Sequence, residues 1–266
     1  MEKIERYSSI QELYENEKIP LGMLTGTTDP VIIEILGYCG FDFVVIDNEH
    51  GGIESDLASH LFRAADASGL LPLVRVVSND PILISKMLDA GARGIVVPHI
   101  ETREEAQNAL NAIRFPPEGP RGWCPSARIG KYSLGYWKKY SEIVNKTISI
   151  IPIIESARGV ENIDEIVAVP EIEVVNFGPG DLSHELGVAG QGFESIEVQQ
   201  AMNKVLSACK KANKKVMGFP FPKMTVEGAQ YCLDKGFNGI IFGMDLLLFT
   251  ELCSDIARSL NHRPRW

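Results

Sequence analysis

The stretch FDFVVIDNEH, residues 41–50, decides the fold. Its apolar run, residues 43–46, gives way within four positions to Asp47, Glu49 and His50. A run so short, so β-branched and without alternation reads as a strand buried on both faces, as the strands of parallel sheets are. The charges fall where its carboxyl end emerges. In α/β folds ligands gather beyond those ends, so this strand is placed to deliver a base and carboxylates to a site.

The same plan recurs along the chain. Three times a helical stretch closes on a glycine and a short spacer leads into an apolar strand: YCGFDFVVIDNEH at Gly40, DAGARGIVVPHI at Gly91 and DKGFNGIIFGMD at Gly236. Glycine just past a helix end takes a left-handed conformation that other residues resist. With the remaining apolar runs, the candidate strands are residues 20–25, 41–47, 71–77, 94–98, 147–154, 173–177, 215–219 and 239–243. Helical patterns separate nearly all of them. Eight alternating units in 266 residues predict an α/β chain folded as one (β/α)8 TIM barrel over residues 1–266, a fold of roughly 250 residues. Residues 8–16 read as a short entry helix over the barrel floor. An open doubly wound sheet is the alternative, but no glycine fingerprint of a dinucleotide site follows the first strand.

Composition narrows the function. With 45% hydrophobic residues and mean hydropathy near zero, the chain is that of a soluble domain with a large core. A net charge of −9 argues against a nucleic-acid surface, whose footprint is a basic patch. No apolar run reaches the roughly 18 residues of a membrane span, and the charged start MEKIERYSS lacks the apolar core of a signal peptide. Cys39, Cys124, Cys209, Cys232 and Cys253 are odd in number and without C-x-x-C spacing, which predicts reduced thiols, buried in packing, in a cytoplasmic protein.

Several strand ends carry chemistry. Arg75 sits inside the apolar run LVRV, where a guanidinium must be paired: either in a structural ion pair or as an anion-binding, charge-stabilising group. Glu155 terminates TISIIPIIE, and Asp181 follows the next strand across a Gly-Pro-Gly turn. On adjacent strands of a barrel these two carboxylates meet at one rim and form a hard-oxygen half-site suited to Mg²⁺ or Mn²⁺. The bland alternatives are a solvated strand-end charge for Glu155 and a helix cap for Asp181. His99, after the fourth strand, is left unassigned, since a lone histidine there is more often a hydrogen-bonded structural residue than a ligand. Lys223 and Asp245 could face the rim, though Asp245 equally suits the cap of the last helix. The aperiodic segment FPPEGPRGWCPSARIGKY, residues 115–132, reads as an ordered lid or pocket wall, or as a surface loop at an oligomer contact.

Together the motifs IDNEH, LVRV, PPEGPRG, IIPIIES and FGPGDLS, in that order, resemble the HpcH/HpaI aldolase family. The resemblance implies a divalent-metal-dependent class II aldolase that splits 4-hydroxy-2-oxo acids to pyruvate and an aldehyde. It makes His50 the general base, Arg75 the stabiliser of developing oxygen charge, and Glu155 and Asp181 the ligands of Mg²⁺ or Mn²⁺, with Co²⁺ a further candidate. The Gly180–Asp181 backbone becomes the seat of the substrate carboxylate. Asp89 matches an aspartate that raises the basicity of the histidine; because it lies at the far end of a helix, it would act from a neighbouring subunit of a homo-oligomer, a hexamer by resemblance. Two motifs depart from the pattern: Ile153 replaces a substrate-contacting glutamine, and Trp123 and Cys124 make the long loop bulkier than Arg-Gly-x-Gly. Other readings are a CoA-thioester C–C lyase of the citrate lyase β type, for which no lysines cluster at strand ends, and a non-catalytic barrel serving as a binding subunit.

Overall fold

The computed structural model describes residues 8–16, 19–135 and 137–263. Eight parallel strands close in sequence order into one barrel: β1 (Leu21–Thr25), β2 (Phe43–Asp47), β3 (Leu71–Arg75), β4 (Gly94–Val97), β5 (Ser149–Ile154), β6 (Val174–Phe177), β7 (Lys215–Gly218) and β8 (Gly239–Met244). The helices are α1 (Ile10–Glu15), α2 (Pro30–Tyr38), α3 (Ser55–Ser68), α4 (Pro81–Ala90), α5 (Arg103–Ile113), α6 (Trp137–Thr147), α7 (Ala157–Glu161), α8 (Ile163–Val167), α9 (Pro179–Glu185), α10 (Ile196–Lys211), α11 (Val226–Lys235) and α12 (Asp245–Ser259). The fold is the expected (β/α)8 barrel, with each strand found inside or within a residue of its expected range.

Double-sided burial has a direct cause. Along β2, Phe43 and Val45 join an inner cluster in the barrel lumen, while Val44 and Ile46 join the shell between strands and helices. Each such fully buried side chain contributes on the order of 1.5–3 kcal/mol. Sequence alternation is absent because both faces are dry. Gly22 on β1 lies opposite Phe43 in register, and a Cβ there would fall 2.1 Å from the Phe43 ring. Only glycine lets that ring fill the lumen.

Local signals act as the sequence implies. Gly40, Gly91 and Gly236 follow helices with φ of 88°, 127° and 106°. Asp29 and Asp80 cap α2 and α4 ahead of a proline, and Thr102 with Glu105 forms a capping box on α5. On the barrel floor α1 inserts Ile10 and Leu13 into the inner cluster, with Tyr14 packed beside them. All five cysteines are free, but only Cys209 and Cys232 are buried; Cys39, Cys124 and Cys253 are exposed, against the expectation of uniform packing roles. Among the described residues no helix is long and apolar enough to cross a membrane.

Candidate active site

At the carboxyl ends of the strands His50, Arg75, Glu155, Gly180 and Asp181 line a single cavity of about 230 Å³. Residues up to 131 positions apart in the chain meet there because the parallel register brings every strand end to the same rim. The β2–β3 pairing sets Asp47 opposite Arg75. Arg75 donates from Nε to Asp47 Oδ1 at 3.0 Å and from Nη2 to Oδ2 at 2.9 Å, and its Nη1 lies 3.1 Å from Glu49 Oε2. Burial pulls the guanidinium pKa down, but the Asp47 hydrogen bonds and charge, with Glu49, outweigh it and hold the pKa above its ordinary value. Arg75 is therefore ion-paired, as the first reading of this residue has it, and also lines the cavity.

Glu155 is no solvated strand end. It is 5% exposed, and burial drives its pKa from 4.5 up to about 7, reinforced by Asp181 and Glu49 and opposed by the His99 backbone hydrogen bond and ring. Gly178 makes room for it: a Cβ at position 178 would lie 2.7 Å from Glu155 Cβ. Asp181 is not a cap, because α9 begins at Pro179 and its N-cap is Gly178. It sits in the first turn, where the leading backbone N–H groups lack intrahelical partners. Gly180 lines the cavity, and a Cβ there would meet nothing within 4 Å.

Three neighbours received no catalytic role from the sequence. Asp47 and Glu49 clamp Arg75. His99, at φ 53°, donates its backbone N–H to Glu155 Oε1 at 2.8 Å, places Nδ1 3.3 Å from the same oxygen and Nε2 3.6 Å from Glu49 Oε1. Its position just beyond β4 was the signal, identical in kind to that of Glu155 beyond β5. His50 stands at the exposed edge, its Nε2 3.8 Å from Glu49 Oε2.

Asp89 is not among the cavity residues. It ends α4 and accepts from Arg121 Nη2 at 2.7 Å, while the buried Arg121 guanidinium lies over the Phe115 ring at 4.5 Å. The long loop therefore packs on the outside of the barrel against α4, with Arg128 bonded to Asp66, and does not wall this cavity. Lys223 pairs with Glu194 away from it. Asp245 accepts from the Gly26 and Thr27 amides and the Thr25 hydroxyl, tying β1 to the start of α12.

The rim thus gathers Asp47, Glu49, Glu155 and Asp181 around one guanidinium. Asp47 and Glu155 are buried, Glu49 is half-buried and Asp181 is exposed; this surplus of carboxylate favours a cation, and Glu155 with Asp181 offers the hard oxygens that Mg²⁺ or Mn²⁺ accepts. Among the described residues no group of three or more His, Cys, Asp and Glu side chains is arranged to hold a metal ion. The donor set fits an ion completed by water and substrate oxygens, as Mg²⁺ sites commonly are.

Fold and rim together define a (β/α)8 barrel with a carboxylate-lined cavity at its carboxyl-terminal mouth. The chain belongs to the HpcH/HpaI aldolase/citrate lyase family, whose model matches residues 21–251, and this membership places it among carbon–carbon lyases. It is 31% identical over 253 residues to the 2-dehydro-3,6-dideoxy-6-sulfogluconate aldolase of Pseudomonas putida, covering 94% of this chain and 96% of that one. To the 5-keto-4-deoxy-D-glucarate aldolase of Escherichia fergusonii it is 34% identical over 242 residues, covering 91% and 92%. A solved HpcH/HpaI family protein from Burkholderia cenocepacia superposes with a TM-score of 0.86 at 29% identity, covering 94% of this chain and 98% of that one.

Proposed function

We propose that the protein is a divalent-metal-dependent aldolase that splits 4-hydroxy-2-oxo acids into pyruvate and an aldehyde, and runs the same reaction in reverse. The observation that carries this reading is Glu155: a carboxylate buried beside Asp181 at the barrel mouth, with its charged form disfavoured until a cation neutralises it. Bound by Glu155 and Asp181, Mg²⁺ or Mn²⁺ (or Co²⁺) would supply Lewis acidity toward the 2-oxo and carboxylate oxygens of the substrate. The free N–H groups at the start of α9, around Gly180 and Asp181, would receive that carboxylate, and the bare Gly180 Cα leaves room for its approach.

Cleavage breaks the C3–C4 bond. His50, at the open edge, takes the 4-hydroxyl proton as the aldehyde carbonyl forms. The electron pair left on C3 spreads to the 2-oxo oxygen as an enolate, and Arg75, fixed by Asp47 and Glu49, presents a preorganised positive charge to that oxygen. A proton then returns to C3 to give pyruvate. The names of both aldolases it resembles describe keto acids lacking a hydroxyl at the carbon beside the oxo group, in keeping with a pyruvate fragment.

A homo-oligomer completes the reading. α2 exposes Val31, Ile35 and Tyr38, and α12 exposes Phe249, Leu252 and Ile256, with Leu260 at its C-cap, apolar stripes suited to a second copy of this chain. A neighbouring subunit is also the route by which Asp89 would reach a His50. Incubation with pyruvate, a panel of aldehydes and Mg²⁺ or Mn²⁺, with and without chelator, tests the function. Metal-dependent product formation supports it; no turnover with any acceptor, or turnover that survives chelation, overturns it.

A further inference from the structure

Below the carboxylates the cavity is an apolar well with one exception. Side chains alternate along a strand, so Glu155 and Gly178 form one lumen-facing layer while Ile153 and Asn176, paired in register, form the next layer down. Ile153, Val96 and Val45 line this part of the cavity, and none offers a hydrogen bond. Asn176 is 7% exposed, and its side-chain oxygen has no hydrogen-bond partner among the described residues. Leaving a buried amide unsatisfied costs on the order of 1–3 kcal/mol. A water molecule is a poor remedy in an apolar layer, since a buried water needs two to four polar partners of its own. A ligand group reaching down from the carboxylate layer satisfies the amide instead.

We infer that the Asn176 amide binds a hydroxyl on C3 of the 2-oxo acid fragment, making hydroxypyruvate a preferred donor over pyruvate. This rests on the aldolase reading and extends it. With the C1 carboxylate and C2 oxygen held at Gly180, Asp181 and Glu155, and the aldehyde entering from the open mouth, a substituent on C3 is the part of the donor that faces the well. A primary amide both accepts from and donates to a hydroxyl, whichever way its two ends are assigned. In the addition direction C3 of the donor loses a proton, its electron pair forms the bond to the aldehyde carbon, and the aldehyde oxygen takes a proton to become the 4-hydroxyl. The C3 hydroxyl is carried through unchanged, so the product is a 3,4-dihydroxy-2-oxo acid.

The test compares kcat/KM for hydroxypyruvate and pyruvate with one aldehyde, glyceraldehyde, and Mg²⁺, in the wild type and in Asn176→Leu. The expected result is a wild-type preference for hydroxypyruvate that falls about tenfold or more in the variant, the range of one hydrogen bond lost to a substrate hydroxyl. Melting shifts report the contact without turnover: hydroxypyruvate with Mg²⁺ should raise the wild-type melting temperature more than pyruvate does, and this difference should vanish in Asn176→Leu. The ligand-free variant should melt no lower than the wild type, because an apolar replacement of similar shape removes an unsatisfied group. An unchanged donor ratio, equal melting shifts with the two acids, or a ligand-free variant that melts several degrees lower with the ratio intact would each overturn the inference. Absence of turnover with either donor would instead defeat the aldolase reading, and the melting shifts would still decide the Asn176 contact.

Discussion

Replacing Glu155 by glutamine keeps the side chain's shape and removes its charge. The rise of the carboxyl pKa from 4.5 to about 7 corresponds to roughly 3 kcal/mol of disfavoured ionisation, at about 1.4 kcal/mol per pH unit. Glutamine escapes that penalty but accepts the His99 amide hydrogen bond, 2.8 Å long in the wild type, without charge assistance, at a cost of about 1 kcal/mol. The metal-free variant should therefore be about 2 kcal/mol more stable above pH 7, a rise in melting temperature of roughly 5 °C. The sign of the pH dependence follows from the direction of the shift. A folded-state pKa raised above the unfolded one gives stability that is fully present below about 4.5 and is lost as pH rises through about 7. Wild type and Glu155→Gln should melt together near pH 4.5 and diverge towards pH 8, both in chelator. Added Mn²⁺ should then raise the wild-type melting temperature and leave the variant unmoved. A variant that melts below the wild type at pH 8 in chelator would refute the reasoning, as would curves that stay parallel from pH 5 to 8.

His50→Ala should lower kcat by about 10² to 10⁴, the usual share of a general base, while Mn²⁺ still raises its melting temperature; unchanged turnover would remove the imidazole from the mechanism. Arg75→Met leaves the fully buried Asp47 carboxylate with the Glu49 and His50 amides but without its countercharge and should destabilise the fold by about 3–5 kcal/mol, read by urea denaturation; a loss under 1 kcal/mol would show that those amides suffice. Gly178→Ala puts a methyl group 2.7 Å from Glu155 Cβ and should weaken Mn²⁺ binding about 10- to 100-fold by displacing a ligand. Titration calorimetry giving wild-type affinity would mean that Glu155 relaxes without loss.

What could be read from the residues was whatever the backbone period and strand-end position encode. Gly40, Gly91 and Gly236 marked helix ends because a left-handed backbone is cheap only for glycine, and the apolar runs marked strands because both their faces are covered. The rim positions of Glu155 and Asp181 followed from being the first polar residues after such runs, and Arg75 stood out as a lone charge inside one. His99 escaped for a different reason: its role depends on side-chain direction and on a positive φ that histidine does not advertise. Glu49 was legible as a strand-end carboxylate, but its pairing with Arg75 depends on side-chain direction as well. The long loop misled because prolines, Trp123 and two arginines describe order without giving its place: Arg121 is ordered by Asp89 and Phe115 on the barrel's flank, far along the chain from any rim residue. Asn176 was hidden within a strand whose neighbours are apolar, and only the register with Ile153 shows which way it faces.

The plug that α1 makes in the floor, with Ile10 and Leu13 seated among the lumen side chains, turns the barrel into a blind well. Whatever lies deepest must depart by the mouth, past whatever lies above it. For aldol cleavage this imposes a sequence on departure: the aldehyde, formed nearest the opening, leaves first and the 2-oxo acid second. Steady-state product inhibition would record that order, with the 2-oxo acid competitive against substrate and the aldehyde noncompetitive.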